Sequence, residues 1–191
     1  LTLSKFGDKI GFCRTYLFGT DRYGRDIYSR IIIGLRFTLL ISFASVFLSV
    51  LIGTLLGALS GYFGGVFDHL ISFFISLFWS LPTVLLAFII LLVFGKNFWS
   101  IFISIGLTMW GDLARLVRGQ VMAFKQATFV QAAKALGFSD IRILIHHIFP
   151  NITGPIWIQI SANFALAILL ESGLSFLGLG LQPPVPTLGN I

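Results

Sequence analysis

The stretch "FTLLISFASVFLSVLIGTLLGAL", Phe37 to Leu59, decides the fold. It carries no charge, and it is long enough to cross roughly 30 Å of hydrocarbon as a helix, which takes about 20 apolar residues. It also opens a longer run: the 75 residues between Arg36 and Asp112 hold two charges, Asp68 and Lys96. The whole chain has 191 residues, 57% hydrophobic and 10% charged, with a mean hydropathy of +0.96. Soluble domains carry about a quarter charged residues, so the solvent is a bilayer. The net charge of +6 suits membrane flanks better than nucleic acid, because apolar spans interrupt the basic residues.

Four spans follow from this count, at about 37–59, 70–94, 98–117 and 152–170, and the expected class is an all-α polytopic membrane protein. Gly53, Gly57 and Gly61 recur every fourth residue in the first span, a stripe that lets two helix backbones approach closely in lipid. Pro82 lies in the middle of the second span and predicts a kink. In the third span Asp112 and Arg115 are expected at the interface or facing protein. Single Cys13 makes no internal disulfide, and no charged-then-apolar leader precedes the spans. The first 36 residues hold seven Lys/Arg, and Gly111 to Asn151 holds five. Three spans separate these regions, so they lie on opposite sides of the membrane. The charge rule leaves the orientation open.

Within this oil sits "ATFVQAAKALGFSDIRILIHHIFPN", Ala127 to Asn151. Phe129, Val130, Ala133 and Leu136 have helical spacing. Gly137 follows, where a helix end favours positive φ. Ser139 can cap a second helix with Asp140 in its first turn, and Ile141, Leu144, Ile145 and Ile148 form its apolar face. Pro150 closes the unit. Two short helices at a glycine corner outside the bilayer can be a docking element or a loop lying on the membrane surface.

The segment resembles the cytoplasmic "EAA" loop of permease subunits in bacterial and archaeal ABC importers, through Gln131-Ala132-Ala133, then Gly137, then His147-Ile148-Phe149-Pro150-Asn151. Gln131 stands where that family usually has Glu, and Phe149 where it usually has Leu. "LFGTDRYGRDIYSRIIIGLRFTL", Leu17 to Leu39, is similar to the signature of peptide/nickel-type permeases, carried by Gly19, Asp21, Gly24, Arg25, Asp26, Arg30, Gly34 and Arg36. "ESGLSFLGLGLQPPVPTLGNI", Glu171 to Ile191, resembles the segment after their fifth span, with Leu188 where Trp often stands.

The resemblance implies a six-span subunit of which this chain shows four, lacking the first and last. It implies an external or interfacial segment 1–36 and a permease domain 37–191, in which 118–151 is the cytoplasmic coupling loop and 171–191 is external. Gln131, Ala132, Ala133, Gly137, Asp140, His147 and Pro150 would then couple to an ATPase. The implied partners are a second permease subunit, two ATP-binding subunits and an external substrate-binding protein, in a bacterial or archaeal inner membrane. ATP and Mg²⁺ would belong to the partner ATPase. The substrate would be a di- or oligopeptide, with nickel or a nickel chelate as the alternative.

The residues themselves add limits. No G-x-x-x-x-G-K-[ST] phosphate loop occurs; Gly95-Lys96 lacks the rest of the pattern. His69, His146, His147 and Cys13 form no metal-ligand pattern. Gln159 and Asn163 share one face of the fourth span, where they line the pathway or hold helices together. Glu171 is expected near the outer interface, with a proton-relay role the weaker reading. Asp21, Arg22, Arg25, Asp26 and Arg30 suggest a structural ion network. Mid-membrane charge clusters, which a secondary transporter or an intramembrane enzyme would need, are almost absent.

Overall fold

The computed structural model describes all residues except 1, 7, 8, 14, 15, 17, 22, 96 and 182–184, with 2–6 and 9–13 described by backbone alone. Arg22, Lys96 and the side chain of Cys13 therefore lie outside the described residues. The chain is helical apart from one short antiparallel hairpin, β1 (Thr2–Phe6) with β2 (Lys9–Cys13), which the sequence pattern did not anticipate. The helices are α1 (Ile27–Phe63), α2 (Gly65–Ser80), α3 (Thr83–Phe94), α4 (Phe98–Lys125), α5 (Thr128–Ala135), α6 (Asp140–Ile143) and α7 (Phe149–Phe176). A π-helical turn, Leu144–Ile148, joins α6 to α7.

Three of these segments are long and apolar enough to cross a membrane: α1, α4, and the continuous run Asp140–Phe176. The bent pair α2–α3 makes a fourth. All four are longer than, or differ from, the spans read from hydropathy. The α1 helix starts ten residues before Phe37, because Asp26 caps it and Arg36 sits on its exposed side. The α4 helix continues through Asp112 and Arg115 to Lys125. Pro82 does more than kink the second span. Leu81 is extended (φ −106°, ψ 140°), as residues before proline prefer, and α2 and α3 meet at 101°.

The bundle is organised by α1 and α4, which run parallel. Cβ atoms placed on Gly53, Gly57 and Gly61 would lie 2.7, 2.5 and 2.6 Å from the carbonyl oxygens of Trp110, Ala114 and Arg118. Both helices advance four residues per contact, so one seam stays in register for two turns. From the other side, a Cβ on Gly106 would meet the Ser45 carbonyl at 2.8 Å. Lipid tails are as apolar as leucine, so close backbone approach, not exclusion from water, holds such helices together. Around the seam lie two large apolar clusters. One joins Ala58, Leu113, Val117 and Val121 to α5–α7. The other joins Ile41, Ile101, Ile105 and Met109 to α3 and to Ala167 and Leu174 of α7.

Replacing Gly57 with leucine forces a side chain into a main-chain carbonyl that cannot rotate away. The cost is expected to be about 3 kcal/mol or more, read as a lowered melting temperature of the purified protein and lower accumulation in membranes. Gly173→Ala, at a helical position with nothing within 4 Å, is expected to be neutral or to stabilise by up to about 1 kcal/mol. Equal effects from both changes would remove the seam from its central place.

Candidate functional site

The segment after α4 turns back on the bundle at two corners. Ala127 is extended (φ −69°, ψ 146°), and its carbonyl accepts the amides of Val130 and Gln131 to begin α5. At the far end Gly137 takes φ +77°. Its amide donates to the Lys134 carbonyl, and the Phe138 amide donates to that of Ala133. This is the paired bond pattern of a glycine-terminated helix, closed by a residue free of a Cβ penalty. Ser139 stands at the N-cap of α6 in extended conformation, yet its side chain makes no capping bond.

The second helix of the sequence reading, 139–149, is instead four residues of α6 followed by the π turn. Pro150 does not close the unit; it lies in the first turn of α7. Proline has no N–H and its ring crowds the carbonyl four residues back. The chain answers by widening: the Phe149 amide donates to Leu144, five residues back. Asn151 Nδ2 caps the His147 carbonyl at 2.6 Å. The corner is therefore continuous with the fourth span.

The loop has an inner and an outer face. Val130, Ala133, Ile143, Leu144 and Ile148 are buried with α1 and α4 in one cluster. Gln131, Ala132, Leu136, Gly137, Phe138 and Asp140 are exposed. Ala133 at 4% exposure belongs to this chain's own core, so of the paired alanines only Ala132 is open to a partner. Gln131 Nε2 donates to the Gln126 carbonyl at 3.2 Å, at the end of α4, a bond that a carboxylate in its place could not donate. His147 is half-buried against the Phe138 ring (centroids 5.7 Å apart), while His146 faces outward.

Sequence reading missed the residue that anchors this corner. Tyr62, at the end of α1 and 2% exposed, donates its hydroxyl proton to Asp140 at 2.6 Å. Its carbonyl accepts Lys125 Nζ of α4 at 2.5 Å, and the ammonium groups of Lys125 and Lys134 lie 5.4 and 5.5 Å from its ring. Nearby, Asp68 accepts both Nε and NH2 of Arg118 at 2.5 and 2.7 Å, and Ser60 Oγ. As a first-turn acid in α2 it also meets the positive end of that helix. A lone tyrosine in an apolar run carries no signal of this, since its three partners come from three other elements.

At the opposite end of the bundle the signature residues build a turn and a cap. Gly19 and Gly24 have φ +75° and +72°. Asp21 accepts the amides of Tyr23 and Arg25 and the Arg25 Nε, at 2.8–2.9 Å, with Arg30 NH1 3.7 Å away. Partial desolvation would raise its carboxyl, but these bonds and the Arg25 charge outweigh it and hold the group below the usual carboxylate range. Asp26 caps α1 through Tyr28, Ser29 and the Ser29 hydroxyl. A Cβ on Gly34 would meet the Thr187 backbone at 3.1 Å, so the segment after α7 lies directly on α1.

That segment is tied down by Asn190, which accepts from the Thr187 amide and donates to the carbonyls of Leu181 and Val185. Beneath it Glu171 is fully buried rather than interfacial. It accepts from Thr38 Oγ1 at 2.8 Å and Ser175 Oγ at 2.7 Å, and Thr38 in turn accepts the Leu188 amide. Gln159 Nε2 donates to Asn163 Oδ1 at 2.9 Å, with Asn163 fully buried inside the bundle. Among the described residues no group of His, Cys, Asp or Glu could hold a metal ion.

Residues 53–191 match the family described as binding-protein-dependent transport system inner membrane component. The chain belongs to that family. It is 38% identical over 176 residues to the dipeptide transport system permease protein DppC of Lactococcus lactis, covering 92% of this chain and 51% of the relative. It is 43% identical to the oligopeptide permease OppC of Salmonella typhimurium, covering 92% and 58%. It is 38% identical to the glutathione transport system permease protein GsiD of Escherichia coli, covering 90% and 57%. The chain thus spans about half the length of the curated relatives it matches.

The Tyr62–Asp140 bond is expected to hold the corner of this inner-membrane component against its first span. Tyr62→Phe is expected to cost about 1 kcal/mol and to raise protease cleavage within 136–139 roughly fivefold. Asp140→Asn should weaken the same bond, so the double variant should be cleaved little faster than the worse single one. Independent, multiplying effects would show that the two residues do not act together.

Proposed function

We propose that the chain is a transport subunit of an ATP-driven importer in the inner membrane, forming part of the pathway for di- or oligopeptides. It works with a second permease subunit, an external substrate-binding protein and two ATP-binding subunits. The chain catalyses nothing; ATP and Mg²⁺ sit in the partner ATPases, in keeping with the missing phosphate loop. The names of the relatives favour peptides over nickel as cargo.

One observation carries the coupling role: an exposed corner, 131–140, that is mechanically one piece with the fourth span. Asp140–Phe176 is an unbroken 37-residue run, about 55 Å long at about 1.5 Å per residue. Displacement of the corner by a docked ATPase is carried along this lever to Asn163 and Glu171. The inner face, packed on α1 and α4, makes the corner stiff enough to transmit it. This places the loop in the cytoplasm and residues 1–36 outside, as in the resemblance.

Gly137→Leu strains the corner at φ +77° without filling any space in the core. The expected phenotype is an assembled complex in the membrane whose ATP hydrolysis persists while uptake into proteoliposomes drops at least tenfold, the φ penalty alone being about 1–2 kcal/mol. Undiminished uptake by this variant would refute the coupling role.

A further inference from the structure

Midway along the 28-residue α4, Asp112 and Arg115 put opposite charges one turn apart. Asp112 is half-buried and Arg115 exposed. The guanidinium carbon of Arg115 lies 3.6 Å from the ring centroid of Trp79, over its face, so the cation rests on an aromatic surface and not on the Asp112 carboxylate. Trp79 is the penultimate residue of α2. Its indole nitrogen would lie 3.9 Å from a Cβ on Gly111, which places the edge of the ring beside Asp112.

This contact fixes the level of the α2–α3 break. Trp79, Ser80, Leu81, Pro82, Thr83, Val84 and Leu85 are all exposed. Here α2 ends its carbonyl ladder and α3 begins its amide ladder. Irregular backbone at membrane depth persists only where protein buries it or water reaches it. An exposed charge there likewise faces a polar path and not lipid. The break and the charge pair thus share one face at one depth, about 21 Å along α4 from Phe98 at about 1.5 Å per residue.

We propose that Asp112, Arg115 and Trp79 form a contact site in the pathway for the charged ends of a short zwitterionic peptide. Arg115 takes the α-carboxylate and Asp112 the α-ammonium. The guanidinium offers a planar fork matched to a carboxylate, and the Trp79 face holds it ready without neutralising it. Two or three residues of extended chain reach about 7–10 Å, so a dipeptide or tripeptide can touch both groups. Metal ions or sugars would have use for one of these charges at most. The proposal rests on the peptide reading above.

The test uses the whole importer in proteoliposomes, with its binding protein saturated by each substrate. Uptake of Ala-Ala is compared with that of its C-terminal amide and of its N-acetyl form. Selection by the binding protein is common to all variants and cancels when each ratio is divided by that of the wild type. Arg115→Gln is expected to lower the free-acid to amide ratio about tenfold or more, with Arg115→Lys recovering part of it. Asp112→Asn should instead lower the ratio of free amine to N-acetyl peptide.

Equal loss for all three substrates, or no loss, would assign these residues to subunit contact or to nothing in transport, and the proposal falls. A wild-type importer that takes up no peptide overturns the peptide reading together with this site. Wild-type uptake with unchanged ratios overturns the site alone.

Discussion

The structure depends on how closely α1 and α4 approach. Three glycines on one helix face three carbonyls on the other at the same four-residue step, and nothing larger than hydrogen fits between. In water, burial of large side chains would set the spacing of two helices. In lipid that driving force is missing, and atom-to-atom contact along the backbone replaces it. The consequence is positional. With α1 and α4 locked in register, Tyr62 and Lys125 come to one end of the bundle, and Thr38 comes to the other beside Glu171.

Each end then uses a different physics. At the loop end, ion pairs and charged hydrogen bonds near the surface join four elements: Asp68 with Arg118 and Ser60, and Tyr62 with Lys125 and Asp140. Such groups are partly hydrated and can exchange partners, which suits a corner that must move. At the other end a buried carboxylate is satisfied by two hydroxyls and shares one of them with a loop amide. Removing any partner there leaves a buried acceptor unmet, which is far more costly than losing a surface pair. The lever Asp140–Phe176 connects a yielding end to a rigid one.

Much of this was legible in the residues because membrane helices announce themselves by composition. The four crossings, the glycine seam and the Gly137 corner each follow from a local rule about length, spacing or φ. Span limits were not, since hydropathy marks where lipid is while the helices of α1 and α4 run on into charged sequence at Arg30 and Arg118. Tyr62, Glu171 and Trp79 escaped for another reason: their roles lie in partners far along the chain. Ala133 shows the limit of a motif. The paired alanines look equivalent in sequence, yet one step of about 100° around a helix turns Ala132 outward and Ala133 into the core.

The break at Leu81–Pro82 deserves the same physical reading. A proline in a span removes one hydrogen bond, and neighbours commonly absorb that loss as a modest kink. Here the helix gives way completely, by 101°, so something must offset the exposed backbone. Trp79 offers part of the answer: held against Gly111 and Arg115 of α4, it ends α2 at a fixed height and direction. The fold thereby sets polar backbone, a cation and an anion together on one face of an otherwise apolar bundle. A chain that needed only to fill the bilayer would gain stability by extending α2 straight through and replacing the two charges with leucine. That it does not do so is the physical reason for looking to this face for contact with the cargo.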